Sequence, residues 1–139
     1  MRPGDQLLLG LDMVKDIKVL ENAYNDKKGI TAEFNKNILN VVNSFAKTNF
    51  NPDWFEHIAF YNKQKARIEM YLKALKDMEI SSPCLQVKIY IKKGETIHTE
   101  NSHKYTKQHI SNFTLIRDLK IKEIYTDANQ WFSVVHFVV

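Results

Sequence analysis

A single cysteine, Cys84, occurs in the 139 residues. No internal disulfide can form, so the fold is not a disulfide scaffold, and the usage fits a reducing compartment. Following Ser81-Ser82-Pro83, Cys84 reads as a small apolar residue at a strand start, not as a catalytic thiol. Glycine is scarce as well. Gly4, Gly10, Gly29 and Gly94 lie too far apart for a GxGxxG turn or a P-loop, which excludes a glycine-rich cofactor cradle within this chain. There is no GxSxG elbow. The five histidines, His57, His98, His103, His109 and His136, form no HxH or HxxxH pair and have no cysteine cluster beside them, so no metal is expected. His136 reads as a satisfied core or edge histidine. Long apolar runs are missing too: nothing approaches a membrane span and no signal peptide is visible. The expectation is a cytoplasmic protein without a membrane partner.

Charge is present but unremarkable in its layout. Lys and Arg number 20 against 16 Asp and Glu, a net +4. Lysines come in pairs such as Lys27-Lys28 and Lys92-Lys93, which suits solvated faces, and no nucleic-acid partner is expected. Apolar residues at 44% and charged residues at 26% describe a soluble globular chain, long enough for one domain with a real core.

The patterning gives a mixed α/β reading. Residues 7–11, Leu-Leu-Leu-Gly-Leu, and 131–139, Trp to Val, are nearly continuous apolar runs near the two ends. Such runs suit strands buried on both faces, as in a parallel sheet, and suggest part of a larger α/β sheet. Asp16 caps a helix carrying Ile17, Leu20 and Tyr24, with Gly29 as its stop. Thr31 caps a second helix whose apolar side is Phe34, Ile38, Val42 and Phe45. Asn51-Pro52-Asp53 starts a short third helix. The period then becomes two. Ile68, Met70 and Leu72 form one face of a strand, and Leu85, Val87, Ile89 and Ile91 one face of another; these two are expected to pair around residues 81–83. Lys93-Gly94-Glu95 is a turn. Thr106 caps a helix with Ile110, Phe113 and Ile116, and residues 119–126 and 131–139 make a final antiparallel pair.

The most chemical stretch is 96–105, Thr-Ile-His-Thr-Glu-Asn-Ser-His-Lys-Tyr. Glu100 and Ser102 stand two apart, so in a strand they leave the same face. A carboxylate and a hydroxyl together suit one small polar ligand. A solvated turn is the competing reading.

Several segments in unbroken order resemble one family. They are residues 7–16 (Leu-Leu-Leu-Gly-Leu-Asp-Met-Val-Lys-Asp), 20–26, 29–39, Phe55-Glu56-His57-Ile58-Ala59, Arg67-Ile68-Glu69-Met70, and Gly94-Glu95 leading to Thr99-Glu100-Asn101-Ser102-His103-Lys104-Tyr105. The family is the histidine-specific, S-adenosylmethionine-dependent methyltransferases, known for trimethylating the α-amino group of histidine in ergothioneine biosynthesis. The resemblance implies the C-terminal part of a doubly wound methyltransferase sheet carrying an inserted α+β substrate-binding domain. Residues 1–14 correspond to the fifth strand, 15–104 to the substrate-binding insertion, and 105–139 to the last helix and final two strands. The family's cofactor-binding half has no counterpart here. S-adenosylmethionine is thus implied for the intact enzyme and none is expected to bind this chain alone.

The resemblance also implies roles for a pocket wall. Tyr24 donates its hydroxyl to the substrate carboxylate, Thr31 lies near the amine, Met70 touches the imidazole, and Glu100 and Ser102 bond its ring nitrogens. Each has a plainer alternative: core for Tyr24 and Met70, cap for Thr31. No residue is an obvious catalytic base, consistent with in-line displacement on the sulfonium methyl governed by positioning. The expected partner is a histidine-like amino acid. The two core-type terminal strands further predict a homo-oligomer or a complex with the missing half. The alternatives in other classes are a non-catalytic amino-acid-binding module and an interaction protein.

Overall fold

The computed structural model describes residues 2–115 and 119–139. Ile116, assigned above to the last helix, lies outside them. In chain order the elements are β1 (Gln6–Asp12), α1 (Ile17–Tyr24), α2 (Ile30–Ala46), a 3-10 turn (Pro52–Trp54), β2 (Phe55–Asn62), β3 (Arg67–Ala74), β4 (Met78–Ser82), β5 (Val87–Ile91), β6 (Thr96–His103), α3 (Lys107–Asn112), a second 3-10 turn (Phe113–Leu115), β7 (Lys120–Thr126) and β8 (Phe132–Val138). They fall into two compact units. The first comprises Met1–Asp16, Lys63–Arg67 and His103–Val139, and the second Ile17–Asn62 and Ile68–Ser102.

The first unit is a three-stranded sheet in the order β1-β8-β7. β8 pairs antiparallel with β1, from Gln6↔Val138 to Asp12↔Phe132, and antiparallel with β7 on its other side. The final pair expected from the sequence is therefore present. The expectation of a β1 buried on both faces within a parallel sheet is corrected. Leu11 is buried in a core with Met13, Ile110, Val135 and Phe137, with Leu7 and Leu9 packed against it, whereas Leu8 is 66% exposed. Burial is one-sided because α3 and its following turn cover one face only. On the other face Gly10 admits the Phe132 ring, which a Cβ at that position would meet at 2.9 Å. Beyond β8, the described contact on β1's other side is the single parallel bridge Met13↔Tyr105.

The start of α3 follows its sequence closely. Thr106 Oγ1 accepts from the His109 amide, and His109 Nδ1 accepts from the Thr106 amide. This is a capping box with histidine in the position usually held by Glu or Gln. Just before it, Lys104 is fully buried, its Nζ 2.9 Å from Asp12 Oδ2, while Lys15 Nζ lies 2.5 Å from Asp12 Oδ1. Partial burial works to raise the Asp12 pKa, but the hydrogen bonds and charges of the two lysines outweigh it and hold the carboxyl below its usual range. His136 is satisfied, with Nε2 2.6 Å from Gln6 Oε1.

The second unit contains a sheet ordered β2-β3-β6 and a separate β4-β5 hairpin. The expected pairing of the strand at 67–72 with the one at 85–91 is corrected: β5 pairs with β4, and β3 lies between β2 and β6. Alternation defines a strand's faces but not its neighbours, which explains the difference. Val87 and Ile89 are exposed, and only Ile91 of β5 is buried. Cys84 is exposed rather than part of an apolar strand start. Its Sγ lies 2.9 Å from the Ala46 carbonyl. The turn at Gly94 forms as expected, with φ +90 and the Glu95 amide bonded to the Lys92 carbonyl.

Two helix boundaries also differ from expectation. α1 stops at Tyr24, before Gly29, and Gly29 instead precedes α2 in a left-handed conformation. Thr31 is not the cap of α2. Asp26 takes that role, its carboxylate accepting from the amides of Ile30 at 3.0 Å and Thr31 at 2.8 Å. Hydrogen bonding to Thr31 and then Ile30 lowers the Asp26 pKa to about 2. The orientation of α2 is the larger surprise. Asn35 and Leu39 are its buried residues, while Phe34, Ile38 and Phe45 face outward with Ile30 and Val41. Its continuous apolar stripe is thus uncovered in this unit.

Candidate functional site

α1 is a two-turn helix, too short to hold itself in water. It is fixed along the edge strand β2 by three hydrogen bonds at alternate residues. His57 Nε2 reaches the Tyr24 carbonyl at 2.8 Å, Asn25 Nδ2 donates to the Ala59 carbonyl at 3.1 Å, and the Tyr61 amide donates to Glu21 Oε1 at 3.0 Å. Alternate positions of a strand share one side, so one side of β2 meets the end of α1 and its free edge is covered. Leu20 locks the helix from below through a buried cluster with Ile68 and Met70, against which Tyr24, Ala59 and Tyr61 pack.

This arrangement carries the Tyr24 phenol to β6. Its hydroxyl donates to Ser102 Oγ at 2.6 Å, between residues 78 apart in sequence. Met70 is 2% exposed and supplies the apolar floor beside Tyr24. Its carbonyl accepts from Thr99 Oγ1 at 3.0 Å, which ties the middle of β3 to β6. Glu100 is partly buried on β6, two residues before Ser102. The structure therefore joins Tyr24, Met70 and Ser102 in one wall with Glu100 on the adjoining strand segment. Thr31 stands apart from that contact: its Oγ1 lies 3.5 Å from the Ala23 carbonyl at the start of α2.

The wall is open. A cavity of about 920 Å³ in the first unit is lined by Lys15, Asp16, Tyr105, Thr126 and Trp131 among others, and one of about 500 Å³ in the second by Asp26, Lys36 and His57 among others. Tyr24, Met70, Glu100 and Ser102 line neither. No group of three or more His, Cys, Asp or Glu suited to a metal gathers among the described residues. No helix is long and apolar enough to cross a membrane among the described residues.

Residues that sequence reasoning did not single out also shape the wall. Asn35, 3% exposed, donates from Nδ2 to the Tyr71 carbonyl at 3.2 Å and lies 2.9 Å from His57 Nδ1. Its partners sit on other elements, so no local pattern marks it. His57 appeared among five scattered histidines and within the family-like segment 55–59, with no role attached.

Comparison with known proteins identifies the family. A family model described as histidine-specific methyltransferase, SAM-dependent, matches residues 1–139. The histidine N-alpha-methyltransferase of Mycobacterium tuberculosis (strain CDC 1551 / Oshkosh) is 43% identical over 108 residues, which is 78% of this chain and 34% of that protein. The histidine N-alpha-methyltransferase of Mycolicibacterium smegmatis (strain ATCC 700084 / mc(2)155) is 41% identical over 110 residues, 79% of this chain and 34% of that protein. The chain thus spans about a third of the length of these relatives.

S-adenosylmethionine, implied by the family, does not fit the residues described. Gly4, Gly29 and Gly94 sit at separate turns with nothing within 4 Å of an added Cβ, and Gly10 is filled by Phe132, so no close-approach glycine cradle is built. A match over the whole chain, with relatives above 40% identity, places this chain in the histidine-specific, S-adenosylmethionine-dependent methyltransferase family.

Proposed function

We propose that this chain is the substrate-binding portion of an enzyme that methylates the α-amino group of histidine or a closely related amino acid. The Tyr24–Ser102 hydrogen bond carries the reading. It unites a phenol and a hydroxyl from distant segments on the Met70 floor, beside the Glu100 carboxylate. In this role the Tyr24 proton turns from Ser102 to the amino-acid carboxylate, Glu100 accepts from the imidazole N–H, and Ser102, released from Tyr24, donates to the other ring nitrogen. S-adenosylmethionine, bound elsewhere in the intact protein, supplies the methyl group. This chain's residues orient the amine and contribute no base. The substrate-binding insertion corresponds to residues 15–104, with 1–14 and 105–139 belonging to the methyltransferase sheet. The compact-unit limits near Asp16 and His103 support that division.

The test is a nuclear magnetic resonance titration of this chain with L-histidine, L-leucine and S-adenosylmethionine. Histidine should shift the signals of Tyr24, Met70, Glu100 and Ser102, leucine should do so only at far higher concentration, and S-adenosylmethionine should leave them in place. Equal responses to histidine and leucine, or none to histidine, overturn the substrate assignment. Saturable binding of S-adenosylmethionine overturns the cofactor assignment.

The outward stripe of α2, with Phe34 67% and Phe45 91% exposed, supports a second element of the proposal. Soluble proteins rarely leave such a face bare, and the relatives have about twice as much further sequence as this chain matches. The stripe therefore fits polypeptide equivalent to that further sequence, as does the bare face of β1 at Leu8. Mixed with the unmatched portion of the M. tuberculosis relative, the chain should form a one-to-one complex by light scattering. Phe34→Glu with Phe45→Glu should abolish it. A 16.3 kDa monomer that persists in the mixture, or a self-dimer that excludes that portion, refutes this assembly.

A further inference from the structure

We infer that His57 is a positioning residue for the amino-acid carboxylate, acting through the Tyr24 backbone from an imidazole whose tautomer Asn35 fixes. The inference rests on the proposed substrate reading and adds a residue to it.

Two groups here, the carbonyls of Tyr71 and Tyr24, can only accept. The Tyr71 carbonyl has no proton to give, so the Asn35 atom 3.2 Å away is its amide nitrogen. The same nitrogen lies 2.9 Å from His57 Nδ1. Its second N–H points there, and Nδ1 is the acceptor. The ring proton then sits on Nε2, where it donates at 2.8 Å to the Tyr24 carbonyl. The relay is closed at both ends by carbonyls, and the neutral Nε2–H imidazole satisfies every member.

The receiving carbonyl belongs to the last residue of α1. Carbonyls of a final helical turn have no partner inside the helix and hold it only if something outside donates to them. Asn25 Nδ2 bonds the Glu21 carbonyl in the same turn at 2.9 Å, so the two anchors together fix the turn from which the Tyr24 phenol projects to Ser102. Losing the His57 anchor removes the bond nearest the phenol and leaves the turn held through Asn25 and Glu21. The phenol then loses its aim, while Glu100 and Ser102, on β6, keep theirs.

Two substitutions separate anchoring from simple filling of space. In His57→Asn the side-chain oxygen occupies the Nδ1 position and still accepts from Asn35, but the side chain is too short for the Tyr24 carbonyl. In His57→Gln the amide nitrogen reaches the Nε2 position and restores that donor. Binding of L-histidine and of histamine, which lacks the carboxylate, is measured for the wild-type chain and both variants, with thermal unfolding as a control. His57→Asn should weaken L-histidine about tenfold, as expected for one hydrogen bond, and leave histamine and the unfolding midpoint nearly unchanged. His57→Gln should bind L-histidine within about threefold of wild type. Nitrogen-15 shifts of the His57 ring should report the Nε2–H tautomer. Wild-type binding that both variants retain, or an equal loss for histamine, overturns the inference. Failure of the wild type itself to bind L-histidine defeats the substrate reading instead.

Discussion

Asp12→Asn should destabilise the first unit by about 3–5 kcal/mol. The reason is Lys104, whose side chain is fully buried and whose ammonium lies 2.9 Å from Asp12 Oδ2. Taking an ammonium out of water is costly, and removing this carboxylate beside it exposes part of that cost. Lys15, also bonded to Asp12, has a side chain only 14% exposed and loses the same carboxylate. Urea unfolding followed through Trp131 fluorescence, in a Trp54→Phe background, reads the first unit. A loss below about 1 kcal/mol would mean that the pair behaves as a surface bridge. The pH dependence has a definite sign. The Asp12 carboxyl is held below its usual range, so its contribution is complete above the ordinary carboxylate pKa. It disappears as pH falls through the lowered folded value, and Asp12→Asn should flatten that acid limb.

Glu100→Ala should weaken L-histidine binding by about 10- to 100-fold, the equivalent of about 1–3 kcal/mol for a polar group left without its partner. Leucine, with no ring N–H to offer, should lose almost nothing. Glu100→Gln keeps an acceptor oxygen but not the charge and should fall between, since charge-assisted hydrogen bonds are about twice as strong as neutral ones. Calorimetric titration of the three proteins with both amino acids decides the matter. Parallel losses for histidine and leucine would show that Glu100 supports the strand rather than the ligand.

The sequence announced elements whose determinants are local. Thr106 and His109 cap α3 from within one turn, Asn51 caps the 3-10 turn at Pro52 by accepting from Asp53, and β7 and β8 are adjacent hairpin strands. What escaped depends on remote or competing partners. Asp26 and Thr31 both have capping chemistry, and the conformation of Gly29 selects Asp26. The α2 period correctly marked a stripe, but periodicity does not say whether this chain supplies its cover. In the site, the shared face of Glu100 and Ser102 follows from their spacing. The Tyr24 hydroxyl on Ser102 spans 78 residues and was legible only through the family resemblance. The relay from Tyr71 through Asn35 and His57 to Tyr24 joins four segments and left no trace in the sequence.

The pairing of β1 with β8 has a consequence for timing. Gln6 finds Val138, and Asp12 finds Phe132, so β1 must wait for β8, made more than a hundred residues later. At ribosomal speeds that delay is on the order of ten seconds. Through it Leu7, Leu8, Leu9 and Leu11 lack their β8 partner, whereas every strand of the β2-β3-β6 sheet has already emerged. The order of folding is thereby set by topology: the second unit's sheet assembles during synthesis, and the first closes only when β8 arrives. In that interval β1 lacks the strand it pairs with, and a pause before β8 would prolong the wait.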